Sequence, residues 1–313
     1  VDINADTLNM SAEDLEKKIT PKSKVLIIQH TFGFPADIDR LMQIAKSKGL
    51  FVIEDCAHAL GAKYNGKLIG TVGDAAFFSF GRDKAISSTF GGVAITKNKE
   101  VAVNLRHLEQ SYKFPNRRWI AQQLFHPVII GLAKSTFHFV GLGKAILYFS
   151  KVSRISSKAV YSIEKAGGKP PFVFHRLANA LAAVALRQFN KLDKFNSHRR
   201  QIAKSYEVRL RTCSEVRLQK MLPDTEPIYL RYVIRHPKRD EIMAEAKKQN
   251  IYLGDWYTTG IAPVGVDYSA IKYDPASCPN AEAAARETIN LPTDIHISEK
   301  NAERIIKFLS KWK

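Results

Sequence analysis

The sequence predicts an α/β protein in two parts: a large domain with a mostly parallel sheet flanked by helices, and a smaller C-terminal α/β domain. Three observations predict it. Strand and helix patterns alternate through the first ninety-odd residues. The strand segments are short and apolar and run into polar residues at their carboxyl ends. After a long helical stretch, a second and shorter alternation begins near Tyr229. Strand, helix, strand in this order gives right-handed crossovers and parallel pairing.

Taken in order, Asp14 to Ile19 reads as a short helix entered through Ser11 and stopped by Pro21. Lys24 to Gln29 is an apolar run of the kind a strand buried on both faces shows. Asp37 to Lys48 carries Ile38, Leu41, Met42, Ile44 and Ala45 at helical spacing and ends at Gly49. Phe51 to Glu54, Ala75 to Phe80 and Gly91 to Thr96 are the next strands. Leu177 to Arg211 is expected as one long helical stretch. Tyr229 to Arg235 then reads as a strand, Arg239 to Gln249 as a helix and Ile251 to Leu253 as a short strand. Ile289 to Pro292 ends a strand, and Ser298 caps a closing helix that runs to Trp312. The large domain is placed at 1–185, and the linking helix with the small domain at 186–313.

Composition narrows the function. The chain has 313 residues, 45% hydrophobic and 25% charged, which excludes global disorder. Cys56, Cys213 and Cys278 are three, widely spaced and without a CxxC. They exclude a disulfide scaffold and a cysteine zinc site, no metal ligand set is expected, and the usage fits a reducing, cytoplasmic compartment. The chain opens Val-Asp-Ile, as though cut from a longer protein. The net charge of +18 raises nucleic acid as a partner, but no helix-turn-helix, zinc-finger or RNA-binding signature accompanies it, and none is expected to bind.

The chemistry gathers at two strand ends. Asp55 ends one strand and His58 follows; Ser79 lies on the next strand and Lys84 in the turn after it. An acid and a lysine at neighbouring strand ends suit a pyridoxal phosphate site: the amine takes the aldehyde and the carboxylate keeps the pyridine nitrogen protonated. A hydroxyl such as Ser79 can bind the phosphate, and His58 can stack on the ring or hydrogen-bond its phenolic oxygen. Gly91-Gly92 would let the chain pass close beneath whatever Lys84 holds. Singly, each residue also has a plain structural reading: a helix cap, solvated surface, an outward strand hydroxyl and a packing histidine.

The wording of the segment goes further. Val52-Ile-Glu-Asp-Cys-Ala-His-Ala-Leu-Gly-Ala62, Gly70 to Phe80, Lys84 and Gly91-Gly92 resemble the DegT/DnrJ/EryC1/StrS aminotransferases. Thr20 to His30, Leu181 to Gln188, Arg199-Arg200 and Ile289 to Pro292 extend the resemblance over most of the chain. It implies a fold-type-I pyridoxal phosphate enzyme, homodimeric, that moves an amino group, usually from glutamate, to a keto sugar linked to a nucleotide in polysaccharide or cell-surface glycan biosynthesis. Lys84 would carry the cofactor, Asp55 would pair with its ring nitrogen, His58 would contact the ring and Ser79 would bind the phosphate. Lys84 argues against the family's dehydratases, which have histidine there. Three departures stand out. The family's phosphate-binding Gly-Ser/Thr loop and ring-stacking aromatic precede the first residue here, so this piece alone is expected to be inactive. Phe174-His-Arg176 replaces a common Asn-Tyr-Arg. The third is an insertion at about 106–169. A non-catalytic relic or scaffold in a glycan-biosynthesis complex is the competing reading.

In that insertion, Arg106 to Lys158 holds nine bases against one acid, Glu109, with Trp119, Phe125, Phe137, Phe139, Tyr148 and Phe149 between them. The stretch Trp119 to Ala133 has no charged residue, but as a helix it spans about 22 Å, short of a bilayer core of about 30 Å. Two expectations follow for 119–149. It is a helical hairpin packed on its own catalytic domain or across the dimer, with its aromatics buried, or it makes peripheral contact with a membrane, with an apolar patch protruding. On a membrane, Lys134, Lys144, Lys151 and Arg154 would sit at headgroup level, each worth about 1 kcal/mol toward an anionic leaflet.

Overall fold

The structure, a computed structural model, describes residues 1–136, 142–152 and 160–312. Phe137, Phe139, Val140, Arg154 and Lys158 of the insertion lie outside the described residues. Four strands form the main sheet in sequence order: β1 (Val25–Gln29), β2 (Phe51–Asp55), β3 (Ala75–Ser79) and β4 (Gly92–Thr96). β1 pairs with β2 and β2 with β3 in parallel, so the carboxyl ends of β2 and β3 lie side by side. β4 runs antiparallel to β3. No helix joins these two strands, only the turn through 80–91, and a chain that turns without a crossover must return antiparallel.

Helices α1 (Ala12–Lys18) and α2 (Ile38–Ser47) cover one face of this sheet. Ser11 caps α1, its hydroxyl accepting from Asp14 N–H. Leu15, Leu41 and Ile44 close over Leu26, Ile28 and Val52. The expectation that β1 is buried on both faces does not hold: Leu26 and Ile28 are buried, while Val25 and Ile27 are exposed. Phe77 is exposed on that same face, whereas Val93 and Ile95, exposed on the edge strand β4, lie on the other face opposite Phe78 and Ala76. An unbroken apolar run records that both faces can be buried, and here helices reach only one.

Helix α3 (Lys99–Ser111), capped by Asn98, leads into α4 (Arg117–Ser135) and α5 (Leu142–Val152), which pack on each other. The long stretch after Leu177 is two helices, α6 (Asn179–Phe189) and α7 (Leu192–Leu210). Lys191 leaves helical geometry at φ −110°, ψ 4°, and beyond it Leu192 and Phe195 pack against Cys56, Ala59 and Ile86. Burying those two side chains outweighs the continuity of one helix.

The C-terminal part carries an antiparallel sheet of β5 (Arg217–Leu218), β6 (Tyr232–Arg235) and β7 (Thr288–Leu291), with β6 in the middle. Helices α8 (Arg239–Lys248), α9 (Pro279–Glu287) and α10 (Glu299–Leu309) accompany it. One core joins α7, the sheet and α10 through Ile202, Tyr206, Ile234, Ile289 and Ile305. Ile251 to Leu253 is not a strand. Asn250 at φ +55° turns the chain, and only Gly254 bridges to Asn290, by two backbone hydrogen bonds of 2.8 and 2.9 Å.

Candidate functional site

The adjoining carboxyl ends of β2 and β3 bring together the four residues singled out from the sequence. Asp55 is the last residue of β2, and its Oδ1 accepts from Ala57 N–H at 3.0 Å. Ser79 is the last residue of β3, and its Oγ accepts from Gly81 N–H at 3.2 Å. The turn then brings Lys84 back over the same end. A Cβ built on Gly81 would stand 3.3 Å from Ser79 Oγ and 3.8 Å from Lys84 Cγ, so Ser79 and Lys84 flank one glycine. Lys84 Nζ lies 5.4 Å from the centre of the Trp256 ring.

Charge couples the pair. Burial lowers the pKa of Lys84, with Asp55 and Asp83 opposing the shift and Arg231 adding to it. Burial likewise raises the pKa of Asp55, with the Ala57 N–H and the Lys84 charge pulling the other way. A carboxylate beside a cation is ordinarily depressed, but here desolvation outweighs both partners. The result is a half-buried amine and a half-buried carboxyl in one field, each with its charged form disfavoured by burial.

His58 is buried, and its Nδ1 accepts from Phe32 N–H at 3.3 Å, which leaves the ring proton on Nε2. Its ring stacks on Trp256 (5.6 Å between centres, 9° between planes), with Tyr257 at 6.3 Å and Phe32 at 6.1 Å. Burial, helped by the charges of Lys84 and Arg231, pushes its pKa down to about 3. It is a neutral donor at any ordinary pH. A Cβ on Gly91 would meet Leu177 at 2.7 Å, and one on Gly92 would meet the Phe78 carbonyl at 2.6 Å. Gly92 thus lets β4 close on β3, and Gly91 makes room for Leu177.

Several residues of the site were missed. Arg231 sits 5.5 Å from the Trp256 ring centre, opposite Lys84 in role, and pairs with Asp83 at 3.8 Å. Its signal was a lone charge inside the apolar run Tyr229 to Arg235. Trp256 and Tyr257 lay in a segment without periodicity; an aromatic pair in a polar loop was the only clue. Burial and the Asp55 charge push the Tyr257 phenol up to about 12. Arg199, buried on α7, donates to the Ala85 carbonyl at 2.8 Å and to Asn196 Oδ1 at 2.9 Å. Phe174 is half-exposed, edge-on to Tyr112, with Lys169 Nζ 5.8 Å from its ring centre.

Beneath the site, Glu54 accepts N–H bonds from Gly70, Val72 and Gly73 at 2.7–2.8 Å and lies 3.3 Å from His30 Nε2. Burial raises its pKa, but His30 and the loop amides outweigh that and hold it below the ordinary value. Cys56 stands close to both, so the three have the donor types of a metal site. Their chemistry is already used: Glu54 is saturated, and His30 Nδ1 accepts from Ala36 N–H at 3.0 Å. The cluster pins the 70–73 loop to β2. A cavity of about 340 Å³ lies on the other side of Phe32 and Tyr257, lined also by Gln29, Thr259 and Ala284, and shares none of Asp55, Ser79 or Lys84.

The chain resembles known proteins along most of its length. It is 31% identical over 218 residues to the GDP-perosamine synthase of Escherichia coli O157:H7, which is 69% of this chain and 46% of that protein. It is 28% identical over 301 residues to the dTDP-3-amino-3,4,6-trideoxy-alpha-D-glucose transaminase of Streptomyces venezuelae, 95% of this chain and 66% of that one. This chain thus spans less than two thirds of either relative. Among solved structures, S. venezuelae DesV in complex with a ketimine intermediate superposes with a TM-score of 0.74 at 26% identity, over 100% of this chain and 71% of DesV. The family's sequence pattern matches residues 1–126 and 152–310, and the chain belongs to the DegT/DnrJ/EryC1/StrS aminotransferase family.

Proposed function

We propose that this chain carries the catalytic lysine of a pyridoxal phosphate-dependent aminotransferase. In this reading it moves an amino group, from glutamate, to a keto sugar linked to a nucleotide, in polysaccharide or cell-surface glycan biosynthesis, as a homodimer. The observation that carries the reading is the Lys84–Asp55 pair: a carboxyl at the end of β2 and an amine in the turn after the adjoining strand β3, each shifted by burial against the opposing charge of the other. The residues present fit the cofactor. Lys84, with its lowered pKa, is more often the neutral amine that an aldehyde requires. Asp55 holds a proton at a ring nitrogen, Ser79 Oγ offers a hydroxyl to a phosphate, and neutral His58 offers Nε2–H. When bound, pyridoxal phosphate supplies the electron sink for the carbanion formed at the substrate carbon. Lys84 Nζ, as a neutral amine, would serve as the general base that takes the proton from the substrate carbon. Arg231, over the same indole as Lys84, is placed to meet an anionic group of the substrate.

Borohydride reduction of the full-length protein with pyridoxal phosphate, followed by peptide mapping, tests the assignment. Label is expected on the Lys84 peptide, and Lys84→Ala is expected to lose 2-oxoglutarate production from glutamate, while Lys63→Ala and Lys67→Ala keep it. Label on another lysine would sink the assignment.

A further inference from the structure

The hairpin of α4 and α5 carries large apolar residues on its outside. Its fully buried residues are small or polar, Gln123 and Ala133 on α4 and Gly143 and Ser150 on α5, while Leu124, Ile129, Ile130, Ile146 and Leu147 are half-buried. Phe125, Val128 and Leu132 follow one another at three and four residues, an exposed stripe of α4, whose other apolar residues are spread round the helix. Leu142 and Phe149, two turns apart with Tyr148 beside them, make the exposed stripe of α5. These six are between 48% and 67% exposed.

The base of the hairpin is anchored. Trp119 stands edge-on to Phe90 at 5.0 Å and to His175 at 6.2 Å, and α4 also touches α6. Docking on the protein therefore accounts for Trp119 and not for the outward stripes. The family's sequence pattern passes over residues 127–151, which contain five of the six exposed residues. The stripes are thus an addition to the shared fold, not part of a packing surface that the family has in common.

Charge selects the occupant. From Gln110 to Ile163 the sequence has no acidic residue and eight bases, of which Lys134, Lys144 and Lys151 lie within the two helices and Arg117 and Arg118 at the entrance to α4. A second copy docked by a two-fold axis would set this charge against itself. A nucleic acid would meet the charge, but it would leave Val128, Leu132 and Leu142 without a stacking partner. A lipid surface with anionic headgroups above acyl chains meets both. No helix among the described residues is long and apolar enough to cross a membrane, so the contact is with one leaflet.

We propose that the α4–α5 hairpin seats this protein on an anionic membrane surface, with Phe125, Val128, Leu132, Leu142, Tyr148 and Phe149 entering the boundary between headgroups and acyl chains. The proposal stands apart from the reaction assigned to Lys84, and its test reads binding rather than turnover.

The test is flotation of the full-length protein with vesicles of phosphatidylcholine alone or mixed with phosphatidylglycerol, at low and high salt. Wild type is expected to float with the mixed vesicles, more weakly at high salt, and hardly at all with phosphatidylcholine. Leu132→Ser with Phe149→Ser should weaken flotation about tenfold or more, since each loses most of an inserted side chain. Leu186→Ser with Val208→Ser, equally exposed on α6 and α7, should leave it unchanged. Should the first pair fold poorly, the salt and lipid dependence of wild type decides alone. Three results would overturn the proposal: no flotation under any condition, a dimer that Leu132→Ser and Phe149→Ser dissociate without any vesicle binding, or binding of single-stranded oligonucleotides in place of vesicles.

Discussion

His58 makes the protein sensitive to acid in a way that can be calculated. Burial among Phe32, Trp256 and Tyr257, with the nearby charges of Lys84 and Arg231, takes its pKa from 6.5 to about 3. Its folded pKa is depressed, so below pH 6.5 the unfolded chain binds a proton that the folded chain refuses. Stability is whole above about pH 6.5 and falls as pH drops toward the folded value. Each pKa unit is worth about 1.4 kcal/mol. The full linkage is then about 5 kcal/mol, reached below pH 3, of which about 2 kcal/mol is already lost between about pH 7.5 and pH 5. His58→Gln keeps an acceptor for the Phe32 N–H and removes the titration. Guanidinium unfolding at the two pH values, on wild type and variant, isolates the effect, because every other group titrates alike in both. The variant should lose about 2 kcal/mol less than wild type. Equal losses would show that His58 is protonated in the folded protein, and the neutral Nε2–H donor assigned to it would be wrong.

The remaining expectations concern the same strand ends. Asp55→Asn should lower turnover by roughly tenfold or more while cofactor content, read by absorbance, changes little, since the phosphate and Lys84 contacts remain; wild-type turnover would contradict the role given to Asp55. Glu54→Gln places an NH2 among three N–H donors and should cost about 3 kcal/mol in urea unfolding, with the 70–73 loop becoming protease-sensitive. Arg199→Met leaves the Ala85 carbonyl and Asn196 Oδ1 without their donor and should cost about 2 kcal/mol, with slower borohydride trapping at Lys84. An Arg199→Met protein that is less stable but traps at the wild-type rate would confine Arg199 to a structural role.

What was legible in the sequence was what depends on local pattern. The β1, β2 and β3 runs and the caps at Ser11 and Ser298 follow from apolar spacing and from short hydroxyl side chains. The four site residues were legible because strand ends are short, so that sequence distance and spatial distance agree there. Arg231, Trp256 and Tyr257 come from about 170 to 200 residues further along, and nothing local marks them as neighbours of His58. The break at Asn190-Lys191 was hidden for the same reason: it is decided by where Leu192 and Phe195 find a core. The raised pKa of Asp55 was not legible, because a charged partner can be read from sequence and burial cannot. In the hairpin, spacing showed two apolar stripes, but only the structure shows which way they face.

These distant residues have a common effect on Lys84. Arg231 of the C-terminal part pairs with Asp83, the residue just before Lys84, and Arg199 of α7 holds the carbonyl of Ala85, the residue just after it. The turn that presents the amine is therefore gripped on both flanks by cations from beyond Leu192, while Ser79 grips its start through the Gly81 N–H. A lysine in a free turn would be solvated and protonated, and it would lose several rotatable bonds' worth of entropy on reaching a cofactor. Tied at Gly81, Asp83 and Ala85, its backbone is already ordered. Burial is the main cause that favours the neutral amine, and Arg231 adds to it against the opposing charges of Asp55 and Asp83. The large part holds the reactive residue, and its readiness is set from the other end of the chain.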